Sequence, residues 1–84
     1  MDTLMNTYGT RTLTLVRGEG SRVWDDQGNS YIDAISGIAV CGLGHSHPAV
    51  TRALCDQAGT LLHVSNLYNI PPQRLLADLL CEQT

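Results

Sequence analysis

The chain has 84 residues, of which 43% are hydrophobic and 15% charged, with a formal net charge of −3. That balance excludes a disordered tail, and the five arginines, Arg11, Arg17, Arg22, Arg52 and Arg74, are too dispersed to form the basic stripe of a nucleic-acid binder. No apolar run approaches the roughly 20 residues that span a bilayer, no basic-then-apolar leader follows Met1, and the three cysteines, Cys41, Cys55 and Cys81, are too widely spaced for a disulfide framework or a C-x-x-C pair. A cytoplasmic protein with reduced thiols, and with neither nucleic acid nor membrane as a partner, is expected.

Residues 1–11 are polar and include Gly9, which predicts an arm that gains order by packing on something else. Tyr8 stands in this arm without an apolar pattern to explain it; either it closes over a site or it docks the arm. From 12 to 47 the pattern is a small antiparallel meander followed by a glycine-rich segment. Residues 12–16 alternate as a half-buried strand does, residues 18–20 turn the chain, and residues 21–24 read as a second strand. Residues 25–29 then form a tight turn whose carboxylates, Asp25 and Asp26, are expected to be solvated, and residues 30–33 form a third strand. Trp24 and Tyr31, in neighbouring strands, read as core or cross-strand packing. The stretch 36–44 is too interrupted by glycine for a helix and too apolar for a surface loop, a character that suits the wall of a cavity.

From 48 to 84 the pattern is helical. Pro48 suits a first helical position, and Val50, Ala53, Leu54, Ala58, Leu61 and Leu62 recur at helical spacing. Pro71 and Pro72 open a second helix with an apolar stripe of Leu75, Leu76, Leu79 and Leu80, and no glycine stop precedes Thr84. A meander followed by two helices reads as the opening of a larger α/β or α+β fold.

Two chemical readings compete over Gly42-Leu43-Gly44-His45-Ser46-His47. A dinucleotide fingerprint would need a third glycine where His47 stands. A metal site built from Cys41, His45 and His47, with or without His63, matches no common zinc spacing. Imidazoles just ahead of a helix more often cap it or make buried hydrogen bonds. No metal is expected, and His45 and His47 are read as structural.

Taken together, Asn6-Thr7-Tyr8-Gly9, Val16-Arg17-Gly18-Glu19-Gly20, Val23-Trp24-Asp25-Asp26-Gln27-Gly28, Tyr31-Ile32-Asp33, Gly37-Ile38-Ala39-Val40-Cys41, Gly44-His45-Ser46-His47-Pro48 and His63-Val64-Ser65-Asn66-Leu67-Tyr68 resemble the start of the class III pyridoxal-phosphate-dependent aminotransferases, in that family's order and spacing. The resemblance is strongest to the acetylornithine-type branch. It implies the N-terminal part of a fold type I transferase, in which 12–47 belong to the small domain and 48–84 lead into the large one. It also implies a homodimer with active sites at the subunit interface, pyridoxal 5′-phosphate as cofactor, and transfer of an amino group from N-acetylornithine to 2-oxoglutarate in arginine biosynthesis. By the same resemblance, Tyr8 leans over the substrate side of the cofactor, and Gly37, Ile38, Ala39 and Val40 form a wall beside the substrate tail. Ile38 falls where ornithine-specific members place a tyrosine. The family's cofactor-linking lysine, phosphate cradle, pyridinium-binding aspartate and carboxylate-binding arginine match nothing here, and the chain has no lysine. No catalytic or cofactor-binding residue is therefore expected within it, and alone it would be inactive. The alternatives are another class III ω-aminotransferase, acting on ornithine or succinylornithine, and a non-catalytic interaction module derived from one.

Overall fold

The computed structural model describes residues 3–84. The chain divides into two compact units, Met1–Ala53 and Leu54–Thr84. In the first, β1 (Leu15–Glu19), β2 (Arg22–Asp25) and β3 (Ser30–Ile32) form an antiparallel sheet in the order β1-β2-β3. Short links dictate this order, because a two-residue loop can only fold a strand back on its neighbour. Gly18 and Glu19, expected in a turn, are strand residues paired with Val23 and Arg22, and the turn is Gly20-Ser21. Of the alternating stretch 12–16, only Leu15 and Val16 lie in β1. The reason is the length of β2, which ends at Asp25 opposite Leu15. The pairing shifts between Leu15 and Arg17, leaving a bulge at Val16.

The period of two along β2 puts Val23 and Asp25 on one face, and both are buried, at 8% and 7% exposure. On the other face Trp24 meets its cross-strand partner Arg17, whose guanidinium lies 3.6 Å from the ring centroid. Asp25 corrects the expectation of a solvated turn carboxylate. Its Oδ1 accepts the backbone N–H groups of Gln27 (3.0 Å) and Asn29 (2.8 Å), and its Oδ2 accepts Asn29 Nδ2 (3.0 Å) and the Tyr31 hydroxyl (3.0 Å). Tyr31 thus reaches Asp25 through its hydroxyl, and its cross-strand partner is Val23, whereas Trp24 pairs with Ser30, so the two aromatic residues do not pair across the strands.

After β3 comes a single helical turn, α1 (Ser36–Ala39), and it is left-handed. The φ angles of Ser36, Gly37, Ile38 and Ala39 are 55°, 66°, 64° and 60°. Backbone bonds from Ala39 N–H to Ile35 O (3.0 Å) and Val40 N–H to Ser36 O (2.8 Å) close it. The stretch is neither the ordinary helix its sequence argues against nor an irregular loop.

Helix α2 (Pro48–Thr60) starts at the expected proline and runs from the first unit into the second, while Leu61 and Leu62 of the expected stripe lie past its end. In the second unit α3 (Pro71–Gln83) follows Ile70, whose extended φ of −123° is the conformation a following proline imposes. Within these 84 residues it extends to Gln83, and the Thr84 hydroxyl donates to Leu80 O (2.9 Å). Neither α2 nor α3 has a buried residue. Among the described residues no helix is long and apolar enough to cross a membrane.

Candidate functional site

The site is built around the left-handed turn. Asp33 follows β3, and its backbone N–H donates to Ser21 O (2.8 Å), which fixes it to the β1–β2 turn. Its Oδ1 accepts the N–H groups of Ile35 (3.1 Å) and Ser36 (2.9 Å), the two residues that lead into α1. Its Oδ2 lies 2.6 Å from His45 Nε2, with the two side chains 16% and 26% exposed. The Ser36 N–H, then the His45 ring, and less the Ile35 N–H, hold the Asp33 carboxyl below its ordinary pKa.

Beyond α1 the chain returns to the same hairpin. Gly20 N–H donates to His45 O (2.9 Å) and His45 N–H to Gly20 O (2.8 Å), an isolated antiparallel bridge, while Ser46 Oγ donates to Gly18 O (2.8 Å). Gly44 makes this approach possible: its φ is 81°, and a Cβ there would sit 2.8 Å from Gly20 O. Leu15, Val23, Asp33, Ile35, Gly37 and His45 border an open cleft of about 500 Å³ between the sheet and the turn.

Of the residues read as a substrate wall, Gly37 borders this cleft, and Ile38, Ala39 and Val40 continue the same segment. Ile38 and Val40 are 85% and 76% exposed, so the turn holds their side chains away from the sheet. Tyr8 is 84% exposed in the arm, and among the described residues no hydrogen bond or ring contact ties it to 37–40. His47 Nδ1 accepts the Ala49 N–H (3.2 Å) at the start of α2, which is the capping role read for it. His63 belongs to the second unit. Among the described residues no cluster of three or more His, Cys, Asp or Glu side chains could hold a metal ion.

Sequence reasoning passed over Asp33 as the last residue of a strand, and it placed His45 with His47 as a support for the following helix. The available signal was an aspartate two and three residues before Ile35 and Ser36, where its side chain can accept local backbone N–H groups. The twelve-residue reach to His45 carries no such local signal.

Pyridoxal phosphate needs an amine to carry it and donors around its phosphate. The chain contains no lysine, and Arg17 is already stacked on Trp24 and lies 3.7 Å from Glu19. A lysine that could carry that cofactor is absent from these 84 residues.

Comparison with known proteins places this geometry in a family. The family model for class-III aminotransferases matches residues 4–84. The acetylornithine aminotransferase of Nitrosomonas europaea is 58% identical over 80 residues, covering 95% of this chain and 20% of that protein. The crystal structure of N-acetylornithine aminotransferase from Stenotrophomonas maltophilia K279a superposes with a TM-score of 0.74 at 52% identity, over 86% of this chain and 20% of that one. A taurine:2-oxoglutarate aminotransferase from Bifidobacterium kashiwanohense, solved in complex with PLP and glutamate, gives a TM-score of 0.87 at 25% identity over 95% and 19%. The chain spans about a fifth of the length of these relatives. Class III aminotransferases are pyridoxal-phosphate-dependent enzymes, and their structures contain the same three-stranded antiparallel sheet followed by helices. This chain belongs to the class-III aminotransferase family.

Proposed function

We propose that this chain is the N-terminal part of a longer cytoplasmic, homodimeric aminotransferase that moves the amino group of N-acetylornithine to 2-oxoglutarate with pyridoxal phosphate, a step of arginine biosynthesis. Bound pyridoxal phosphate supplies the electron sink that lets an amino group leave one carbon skeleton and join another. The residues here serve the substrate side of that site. Tyr8 covers it and excludes water, and Gly37, Ile38, Ala39 and Val40 form the wall along the donor's distal end.

One observation carries the choice of donor. The left-handed turn presents Ile38, 85% exposed, where the resemblance puts a tyrosine in ornithine-specific members. An isoleucine wall offers apolar contact to an acyl group and no partner for a charged amine. The weakness of the chain's own core supports the reading of a part: Val23 is the one buried apolar residue among those described, and Leu75, Leu76, Leu79 and Leu80 of α3 are 47–61% exposed. Such faces suit elements covered by the remainder of a larger domain.

The test is kcat/KM for N-acetylornithine and for ornithine in the intact protein carrying Ile38 or Ile38→Tyr. The tyrosine hydroxyl gives a polar donor end a hydrogen-bond partner, and a buried group lacking one costs about 1–3 kcal/mol. The preference for the acetylated donor should therefore narrow by about tenfold to a hundredfold. An unchanged ratio would remove residues 37–40 from donor selection.

A further inference from the structure

We infer that Asp33 and His45 are positioning residues that clamp the two ends of the left-handed turn and thereby set where Ile38 meets the substrate. The inference rests on the reading of residues 37–40 as a substrate wall and adds to it the device that holds the wall.

The backbone bonds that close the turn leave its residues in a strained conformation. Left-handed backbone is disfavoured at every non-glycine residue, and here Ser36, Ile38 and Ala39 all adopt it beside Gly37. A β-branched residue with positive φ is a genuine outlier, so surrounding contacts must over-determine the conformation. Contacts of that kind converge on one carboxylate. Oδ1 of Asp33 takes the Ile35 and Ser36 N–H groups at the entry to the turn, and Oδ2 reaches across it to His45 at 2.6 Å. Each end is anchored in turn to the β1–β2 hairpin, Asp33 through its N–H donated to Ser21 O and His45 through the two reciprocal backbone hydrogen bonds with Gly20. The His45 ring also lies flush on Gly18, where an added Cβ would be 2.7 Å from His45 Cβ and Cγ. The strained turn is thus a span between two bolted ends, and a carboxylate and an imidazole close it.

Asp33 and His45 touch neither donor nor acceptor on this account. Their removal acts by letting the turn relax, and a displacement of about 1 Å at a substrate-positioning wall can cost about a hundredfold in rate. The variants are Asp33→Ala, His45→Ala and His45→Gln, the last keeping a side-chain N–H for Asp33. Gly18→Ala pushes on His45 from the hairpin while leaving both side chains of the pair chemically intact. All are made in the intact protein with cofactor bound. Two readouts are compared: donor selectivity, as the kcat/KM ratio of N-acetylornithine to ornithine, and hydrogen exchange of the amides of Ala39, Val40 and Cys41.

Asp33→Ala, His45→Ala and Gly18→Ala should reduce the selectivity ratio by about tenfold or more and speed exchange in 39–41, while exchange in the β2–β3 pairing is unchanged. His45→Gln should recover most of the ratio. A uniform loss of activity with the ratio and the local exchange preserved would assign the pair to stability alone and overturn the proposal. If Ile38→Tyr shifts donor preference while the clamp variants do not, the wall stands and the clamp falls. If Ile38→Tyr leaves preference unchanged, the wall reading fails and the clamp's role in selection falls with it.

Discussion

A single carboxylate gathers the side-chain hydrogen bonds of the β2–β3 hairpin. Asp25 is buried, and all four of its hydrogen bonds come from residues two to six positions along the chain. Donation from the Asn29 side chain, reinforced by the Asn29 backbone, the Tyr31 hydroxyl and the Gln27 backbone, holds its pKa below the ordinary 3.8 against the opposing effect of burial. The same contact raises the Tyr31 pKa, because the hydroxyl must keep its proton to donate. A carboxylate with a depressed folded pKa contributes stability above its unfolded pKa and loses it as pH falls through the folded value. Asp33, lowered by Ser36 and His45, adds to the same acid limb. Asp25→Asn, which puts an NH₂ among these donors, should lower the thermal midpoint of the intact protein at neutral pH. It should also flatten the decline in stability below about pH 4. Calorimetry from neutral to acid pH checks this, and an equally steep acid limb in the variant would contradict it. The turn itself was legible, since Asp25, Gly28 and Asn29 carry its chemistry. The burial of Asp25 was not, because it depends on Tyr31, which only strand pairing brings across the hairpin.

At the scale of elements, legibility followed periodicity. Helix α2 begins at the proline its sequence marks, and α3 follows Ile70 as a residue before proline requires. Strand β1 was displaced because alternation measures which residues could pair, whereas the length of β2 sets which of them do. The left-handed turn was illegible for a deeper reason: hydrophobic spacing carries no sign of helical hand, and only Gly37 among its four residues favours positive φ. The turn predicts a reversal of the usual rule for glycine. Ala→Gly within a helix ordinarily costs about 0.5–1 kcal/mol, but Ala39→Gly should be neutral or stabilising, since it relieves a strain of about 1–2 kcal/mol. Gly37→Ala should destabilise by about 1–2 kcal/mol although its Cβ would meet only ordinary contacts at 3.7 Å from Val40. Denaturation of the two variants against wild type decides the matter, and an Ala39→Gly loss as large as that of Gly37→Ala would refute the account of strain.

Over the whole molecule, most of the large apolar side chains among the described residues are exposed. The sheet, the clamp and the turn are specified within the first unit, while the apolar stripes of α2 and α3 are left open to whatever covers them. The family could be read from the ordered motifs, whereas the wall proposed at residues 37–40 rests on likeness alone, because the residues that would meet cofactor and carboxylates match nothing in these 84. The clamp was legible to neither approach, since it joins residues twelve apart through a fold that had first to be seen. The central claim is that this segment belongs to an enzyme built for an acylated donor, and one assay addresses it. The intact protein, loaded with pyridoxal phosphate, is given 2-oxoglutarate with either N-acetylornithine or ornithine, and glutamate formation is followed beside a sample of the 84-residue chain alone. The account predicts turnover in the intact protein with kcat/KM at least about tenfold higher for N-acetylornithine, and none from the chain alone. Equal or greater efficiency with ornithine, or glutamate formed by the 84 residues themselves, would contradict it.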